Sequence, residues 1–313
     1  MAAARNDSPT LALVLGGGGS VGVSWQTGLL TGLREAGVDL ARADAVVGTS
    51  AGALVGALLS SGRAVTDALT SLAALGRSID PESLAAGSET FRALRQANLD
   101  TDPRQGLKAI GRAARETSAL TEDAYLGLFG ILEGAAWPAG FRCTAIDTDT
   151  GDLVVWDAGS GVPLLHAVAA SCSIPQLFPT VTVKGRRYTD GGILNPLNAT
   201  TAPPTDVLVA LSCHPLRSPG AGVDKALDAS AARTNADLAQ LRQARRLIAV
   251  EPDFDDSDTP ANLMDPNLAA QALQIGKRQA QHEATAIQTA WNLSTRSRVG
   301  ESDHSEAVGF AGT

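Results

Sequence analysis

The sequence predicts an α/β fold in which helices cover a central, mostly parallel sheet. Short apolar runs alternate with helical patterns in the first part of the chain, and this order favours parallel strands joined by crossover helices. The 313 residues, of which 44% are hydrophobic, are enough to bury the core of one large domain. We expect that domain to span residues 8–293.

The first four elements follow one another closely. The apolar run LALVL at 11–15 predicts a strand, and a glycine-rich loop leads from it into a helix that runs through Leu33. A second strand is predicted for DAVVG at 44–48 and a second helix for the apolar stretch 51–62. Residues 80–138 contain amphipathic stretches and no strand-like run, so we interpret them as a helical insertion near the functional site and hypothesise that they form a lid.

The second half of the chain supplies the remaining strands. Two hairpins are predicted, one around an Asp-Thr-Gly turn within 141–157 and one within 180–192. A helix with a proline near its first turn is predicted between them at 161–172. Two further core strands are predicted at 206–213 and 245–250, because both stretches are short and apolar.

The last predicted element is a long helix that packs on the core. Residues from 262 to about 292 carry an apolar face at helical spacing, which includes Leu273 and Ile287. The acidic, proline-flanked stretch 251–260 before it predicts a solvated loop. The polar residues 294–313 predict a disordered tail.

Composition and charge argue against several classes of protein. A net charge of −8 with a pI of about 5.0 argues against a nucleic-acid partner and gives no global attraction to anionic lipid headgroups, although a local, transient contact with a membrane surface stays open. Cys143, Cys172 and Cys213 have the spacing of neither a disulfide framework nor a zinc site, which favours a reducing compartment. Because the N-terminus lacks a signal-peptide core and no apolar run approaches the roughly 18 residues of a membrane span, we expect a soluble, cytoplasmic protein.

The glycine loop after the first strand has two interpretations. Gly17, Gly19 and Gly22 match G-x-G-x-x-G, which is typical of dinucleotide binding, but the same loop could also hold the oxyanion of an ester under attack. A dinucleotide fold needs an acidic residue at the end of the second strand to bind the ribose. Asp39 and Asp44 both precede that strand, so the sequence disfavours a nicotinamide-dependent oxidoreductase.

The second strand ends instead in Gly48-Thr49-Ser50-Ala51-Gly52. This is G-x-S-x-G at a strand-to-helix junction, the context in which the motif forms a nucleophile elbow. The flanking glycines are required because side chains two positions from the serine would collide with neighbouring backbone. The alternative is an ordinary tight turn between strand and helix.

A serine nucleophile needs a base, and two candidates stand out. His214, just past the strand at 206–213, is the one histidine of the four at a strand end. Asp190 lies in TDGG, where Gly191 and Gly192 let the chain turn sharply and a carboxylate could take the proton of the serine directly. Spacing alone leaves open that this motif is only a turn.

Four motifs occur in the order that is typical of one protein family. The loop GGGGSVG, the elbow GTSAG, the run SCSIPQLFPTV and the later YTDGG together resemble the patatin-like phospholipases over 11–196. The resemblance implies a three-layer α/β/α fold with a nucleophile elbow and a Ser/Asp dyad that cleaves acyl esters of lipids. Within the third motif, Leu177 and Phe178 are expected either beside the acyl channel or in the core.

The resemblance also implies roles for individual residues. Ser50 would be the nucleophile, Asp190 the base, and Gly17, Gly18 and Gly19 would form an oxyanion hole through their backbone amides. No metal or other cofactor is required.

One position departs from the family pattern. The loop of the family usually carries Arg or Lys before its last glycine, whereas this chain has Val21, which puts a phosphate-binding role of that position in doubt. We therefore expect a lipid acyl hydrolase that acts on a lipid or another acyl ester. The alternatives are a non-catalytic lipid-binding relative and an esterase or acyltransferase that uses His214.

Overall fold

A computed structural model provides the structure of the protein. It describes residues 10–99, 102–116, 120–216, 225–254 and 263–302.

The described residues form one mixed, eight-stranded sheet. Its strands are β1 (Leu11–Leu15), β2 (Ala45–Gly48), β3 (Phe141–Asp147), β4 (Leu153–Trp156), β5 (Val181–Val183), β6 (Arg186–Asp190), β7 (Val207–Leu211) and β8 (Arg246–Val250). The spatial order is β5-β6-β3-β2-β1-β7-β8, with β4 beside β3. The run from β3 through β2, β1 and β7 to β8 is parallel, whereas β4, β5 and β6 pair in antiparallel fashion, as expected for strands joined by hairpins.

Nine α-helices occur among the described residues. They are α1 (Gly19–Glu35), α2 (Ala51–Ser60), α3 (Ala68–Ser78), α4 (Pro81–Asn98), α5 (Pro103–Ala114), α6 (Glu122–Gly127), α7 (Leu164–Ser171), α8 (Lys225–Arg242) and α9 (Pro266–Ser302). Within the described part of the chain, no helix is both long enough and apolar enough to cross a bilayer.

The sheet is buried on both faces, which makes the fold three-layered. Alternate side chains of β1 point in opposite directions, so that Leu13 and Leu15 join the core formed with α1, α2 and α9. Ala12 and Val14 lie on the other face, in a smaller core that includes Leu241 of α8. Burial on both faces explains why these strands read as continuous apolar runs. The predicted α/β fold with a largely parallel central sheet is confirmed.

The predicted insertion contains the helices α4, α5 and α6 and no strand among its described residues. Two of its helices begin with the same local signal, an aspartate followed by proline. The Asp80 side chain accepts a hydrogen bond from the Ser83 amide at 2.8 Å at the start of α4, and Asp102 accepts one from the Arg104 amide at 3.0 Å at the start of α5. Proline at the first helical position needs no amide partner, so each pair fixes a helix start.

The last helix packs along α1 at close range. A Cβ atom on Gly276 would lie 2.3 Å from the Trp25 carbonyl oxygen, and one on Gly28 would lie 2.0 Å from the Leu273 carbonyl oxygen, so glycine on each side sets the helix separation. This confirms the predicted core-packing face. The helix extends to Ser302, so the predicted boundary after residue 293 falls within it. Residues 303–313 of the predicted tail, and 255–262 of the acidic loop, lie outside the described residues.

Candidate active site

Ser50 occupies a sharp turn between β2 and α2. Its backbone has φ 52° and ψ −120°, a conformation that non-glycine residues rarely adopt. A Cβ atom on Gly48 would lie 2.4 Å from the Gly52 carbonyl oxygen, and one on Gly52 would lie 2.1 Å from the Leu15 carbonyl oxygen. The turn therefore requires glycine at both positions, and it has the form of a nucleophile elbow.

The C-terminal end of α7 holds this turn in place. The Ser50 amide donates a hydrogen bond to the Ser171 hydroxyl at 2.9 Å, and the Cys172 thiol donates one to the Ser50 carbonyl oxygen at 3.0 Å. Both partners belong to the motif SCSIPQLFPTV, for which the sequence predicted a place near the channel but not this contact. Their positions show that the motif supports the strained backbone of the elbow.

Sheet pairing brings Asp190 to the same place. Gly48 of β2 lies opposite Cys143 of β3, and Asp190 of β6 lies opposite Ala145, two residues further along β3. The Asp190 amide donates to the Ser173 carbonyl oxygen at 2.9 Å. The Ser50 side chain hydrogen-bonds to the Asp190 carboxyl, so the structure brings the two predicted side chains together. Each residue is only 5% exposed, which leaves the site nearly dry.

The Asp190 carboxyl has an unusual affinity for its proton. Burial raises its pKa to about 6, because a charged carboxylate loses its hydration there. Hydrogen bonds from the Ser50 side chain and the Gly192 amide, and the positive charge of Arg95, act in the opposite direction. The Gly192 amide donates to Asp190 Oδ1 at 2.7 Å. A pKa of about 6 suits a group that must accept and return a proton near neutral pH.

A buried polar network joins the elbow to the turn that follows Asp190. The hydroxyl oxygens of Thr49 and Thr144 lie 2.8 Å apart, and the Asn198 side-chain amide donates to Thr49 Oγ1 at 3.2 Å and to the Gly191 carbonyl oxygen at 3.0 Å. A Cβ atom on Gly191 would lie 2.3 Å from Thr144 Oγ1, so glycine is needed there as well. The network fixes Ser50 and Asp190 relative to each other.

The glycine loop offers two amides to the site. Gly18 and Gly19 face Ser50 across a cavity, and within the described residues their N–H groups have no hydrogen-bond partner. The Gly17 amide instead donates to the Pro196 carbonyl oxygen at 2.7 Å. Because the Gly17 N–H group anchors the loop in this way, we take the amides of Gly18 and Gly19 as the candidate oxyanion donors.

Two cavities meet at Ser50. The wide cavity has a volume of about 360 Å³. It is lined by the glycine loop, by α4 and by the chain after β6, including Ser88, Phe91, Arg95, Asp190, Ile193 and His214. The narrow cavity has a volume of about 60 Å³. It has mostly apolar walls from α1, α2, α3, α6 and the segments that follow α6 and α7, including Val23, Leu54, Leu72, Leu75, Phe129 and Phe178.

The two named residues of the third motif belong to the core and also line the cavities, whereas their place beside an acyl channel stays a prediction. Leu177 lines the wide cavity and Phe178 lines the narrow one, while each is also almost fully buried in the main core. Core residues therefore form part of the wall of each cavity at this point of the fold.

The order of these motifs matches a known family. A profile of the patatin-like phospholipase family matches residues 13–203, which include the glycine loop, the elbow and the turn after Asp190. The chain belongs to the patatin-like phospholipase family. Proteins of this family are lipid acyl hydrolases.

Relatives with curated sequences come from mycobacteria. Two uncharacterized NTE family proteins of Mycobacterium tuberculosis are 30% and 33% identical to this patatin-like protein over 192 residues, or 61% of its length. The aligned region covers 45% of the first relative and 27% of the second, so the chain spans less than half the length of the curated relatives it matches.

Solved structures with a related shape are more distant. VipD from Legionella pneumophila is 16% identical, with a TM-score of 0.40 and coverage of 90% of this chain and 67% of VipD. The type III effector ExoU is 17% identical, with a TM-score of 0.40 and coverage of 89% of this chain and 53% of ExoU. Similarities at this level carry no inference about function.

His214 lies in the wide cavity of this patatin-like protein but lacks the surroundings of a triad histidine. Its Nδ1 atom has no hydrogen-bond partner among the described residues, whereas a triad histidine is oriented at Nδ1 by a carboxylate. Burial, together with the positive charge of Arg95, lowers the pKa of His214 to about 3. A base that weak is less suited to the reaction than Asp190.

Val21, where the family usually has a basic residue, is part of the core. Its side chain is fully buried, and its amide donates to the Leu263 carbonyl oxygen at 3.0 Å. The positive charge near the site comes instead from α4, through Arg92 and Arg95. Nothing in the sequence pattern pointed to these arginines, because α4 has the composition of an ordinary amphipathic helix.

Proposed function

We propose that this protein hydrolyses carboxylic esters of lipids through an acyl-serine intermediate, with Ser50 as nucleophile and Asp190 as base. The observation that carries the proposal is the buried Asp190 carboxyl beside Ser50, at the junction of two cavities. Membership of the patatin-like phospholipase family supports the same reaction class.

Acylation follows from the arrangement of these groups. Asp190 accepts the hydroxyl proton as Ser50 Oγ attacks the ester carbonyl carbon. The resulting oxyanion accepts hydrogen bonds from the amides of Gly18 and Gly19, which in a dry site stabilise it by about 3 kcal/mol or more. The bond to the leaving oxygen then breaks, the protonated Asp190 returns its proton to that oxygen, and the alcohol departs from acyl-Ser50.

Deacylation uses the same groups in reverse. Asp190 takes a proton from water, the hydroxide adds to the acyl carbonyl, and the Gly18 and Gly19 amides again hold the oxyanion. Breaking the bond to Ser50 Oγ releases the fatty acid, and Asp190 returns the proton to the serine.

The two cavities suit the two parts of such a substrate. The apolar walls of the narrow cavity match an acyl chain, whereas the wide cavity combines apolar walls with charged side chains and matches the alcohol part. Phospholipase A, lysophospholipase and simple esterase activities all fit this division. A cytoplasmic location and a transient contact with a membrane surface stay predictions.

Intact-mass labelling with a fluorophosphonate tests the nucleophile without knowledge of the substrate. We expect a single adduct on the wild-type protein and none on Ser50→Ala. Ser24→Ala is a matched control, since Ser24 is a buried serine of α1 that lines neither cavity, and it should keep the adduct. Absence of any adduct on a folded wild-type protein would contradict the proposal and favour a non-catalytic lipid-binding protein.

A further inference from the structure

Arg95 lies in α4 at an unusual position for an arginine. It is only 8% exposed and lines the wide cavity together with Asp190. Arginine is rarely buried to this extent unless its guanidinium group is held by polar partners. The position therefore calls for a specific role.

The guanidinium group connects the helical insertion to the chain just after the base. Arg95 Nε donates to the Ile193 carbonyl oxygen at 3.1 Å, and Arg95 Nη2 donates to the Ser230 hydroxyl of α8 at 3.2 Å. The Ser230 hydroxyl in turn donates to the Leu194 carbonyl oxygen at 3.3 Å. Of these two consecutive carbonyl groups, the first is thus held by α4 and the second by α8, through the hydroxyl that Arg95 also contacts.

This segment also carries the amide that orients the base. The Gly192 N–H group, one residue before Ile193, donates to Asp190 Oδ1. Movement of the Ile193 carbonyl would therefore displace a direct hydrogen bond of the carboxylate. The Phe91 ring, one turn earlier in α4, lies 5.8 Å from the guanidinium carbon of Arg95 and supports its side chain.

Among the described residues, Arg95 is the charged group that acts on the pKa of Asp190, and it favours the carboxylate. The other titratable groups near the carboxylate are Tyr125 of α6 and Cys172 after α7, and burial together with Asp190 itself raises the pKa of both, so they are neutral. His214 is also neutral near pH 7, since its pKa is lowered to about 3. The remaining charges on the wall of the wide cavity, Glu89 and Arg92, form an ion pair with each other.

We propose that Arg95 is a positioning residue for the base: its guanidinium group fixes the turn after Asp190 from the helical insertion, and its charge favours the carboxylate form of Asp190. The inference rests on the proposed function. It gives α4 an indirect part in catalysis, because this helix carries the guanidinium group that holds the segment after Asp190.

The pH dependence of Ser50 labelling by a fluorophosphonate tests this role. Rates are measured from about pH 4.5 to about pH 9 for wild type, Arg95→Met and Arg95→Lys. We expect the acidic midpoint of Arg95→Met to move to higher pH, because the positive charge of Arg95 lowers the pKa of Asp190. Arg95→Lys keeps the positive charge but not the pair of donors Nε and Nη2. Its midpoint should stay near that of wild type, while its maximal labelling rate should fall.

Two further variants serve as a control and as a substitute for Arg95→Met. Arg112→Met removes an exposed arginine of the same insertion that lines neither cavity, and it should leave the midpoint unchanged. If Arg95→Met does not fold, Arg95→Gln supplies a neutral donor at the same position and carries the same expected shift.

The outcomes separate this inference from the proposed function. Labelling of a folded Arg95→Met protein with the wild-type midpoint would overturn the role of Arg95 and leave the dyad intact. Failure of the wild-type protein to label at any pH would contradict the proposed function and, with it, this inference.

Discussion

At the scale of single residues, the site depends on a carboxyl group that is costly to ionise. Asp190 is buried, and its pKa of about 6 lies above the value of 3.8 expected in the unfolded chain. The folded protein therefore holds this proton more tightly than the unfolded chain does. Stability is lost as the pH rises from about 4 through 6, because the ionised carboxylate is penalised only in the folded state.

Asp190→Asn should remove this penalty. At about pH 8 we expect the variant to be more stable than wild type by up to about 3 kcal/mol, and below about pH 4 the difference should vanish. Urea denaturation at both pH values measures the effect. A difference in unfolding free energy that is the same at both pH values would show that the carboxyl of Asp190 does not have a raised pKa.

The glycines of the elbow should be essential for stability. Gly52→Ala should destabilise the protein by about 2 kcal/mol or more, since its Cβ would lie 2.1 Å from the Leu15 carbonyl oxygen and would push α2 away from β1. Gly76→Ala in α3 is a matched control: its Cβ would meet nothing within 4 Å, so better helix propensity should stabilise the protein by about 0.5 to 1 kcal/mol. Equal effects of the two substitutions on urea denaturation would contradict this account of the elbow.

The residues that the sequence predicted are those with a strong local signature. Ser50 lies between two glycines and Asp190 is followed by two glycines, each at the end of a strand. Such a pattern can be recognised in the sequence alone. Asn198, Ser171 and Arg95 act through contacts with residues more than ninety positions away in the chain, and no local pattern distinguishes them from ordinary polar residues. The hydrogen bond of the Gly17 amide to the Pro196 carbonyl oxygen is likewise visible only in the tertiary structure.

At the scale of elements, helices α3 and α6 line the cavity in which the proposed function places the acyl chain. They line the narrow cavity with Leu72 and Leu75 of α3 and Tyr125 of α6, while α1 and α2 contribute other parts of its wall. The size of these side chains, and not the dyad, should therefore set the selectivity for chain length.

Leu72→Trp tests whether the narrow cavity sets the selectivity for acyl-chain length. The larger side chain should shorten the narrow cavity and lower kcat/KM for long acyl esters by at least about tenfold relative to short ones. Thr70→Trp, an exposed position of the same helix, should leave the ratio unchanged. An equal loss for all chain lengths would mean that the acyl chain binds elsewhere.

Secondary structure was predictable where burial imposes a simple pattern. Strands β1 and β2 are buried on both faces and read as short apolar runs, and the apolar face of α9 follows from its packing on α1. The end of α9 was not predictable in the same way, since its sequence becomes polar near residue 294 while the helix continues to Ser302.

At the scale of the whole molecule, the fold places two chemically different cavities on either side of one serine. The sheet brings the elbow and Asp190 together, α7 and Asn198 fix them, and the helical insertion adds a positive charge. Sheet order and the positions of the covering helices depend on contacts between distant segments, so the order of motifs predicted the fold class but not the walls of the site.

The proposed dyad of Ser50 and Asp190 is tested most directly by the rate at which a fluorophosphonate labels Ser50. Wild type, Asp190→Asn and His214→Ala would be measured side by side, each shown to be folded by circular dichroism. We expect Asp190→Asn to lower the rate by about 100-fold or more, because general-base assistance is lost, and His214→Ala to have a much smaller effect. A near-normal rate for Asp190→Asn together with a large loss for His214→Ala would contradict the proposed dyad and identify the histidine as the base.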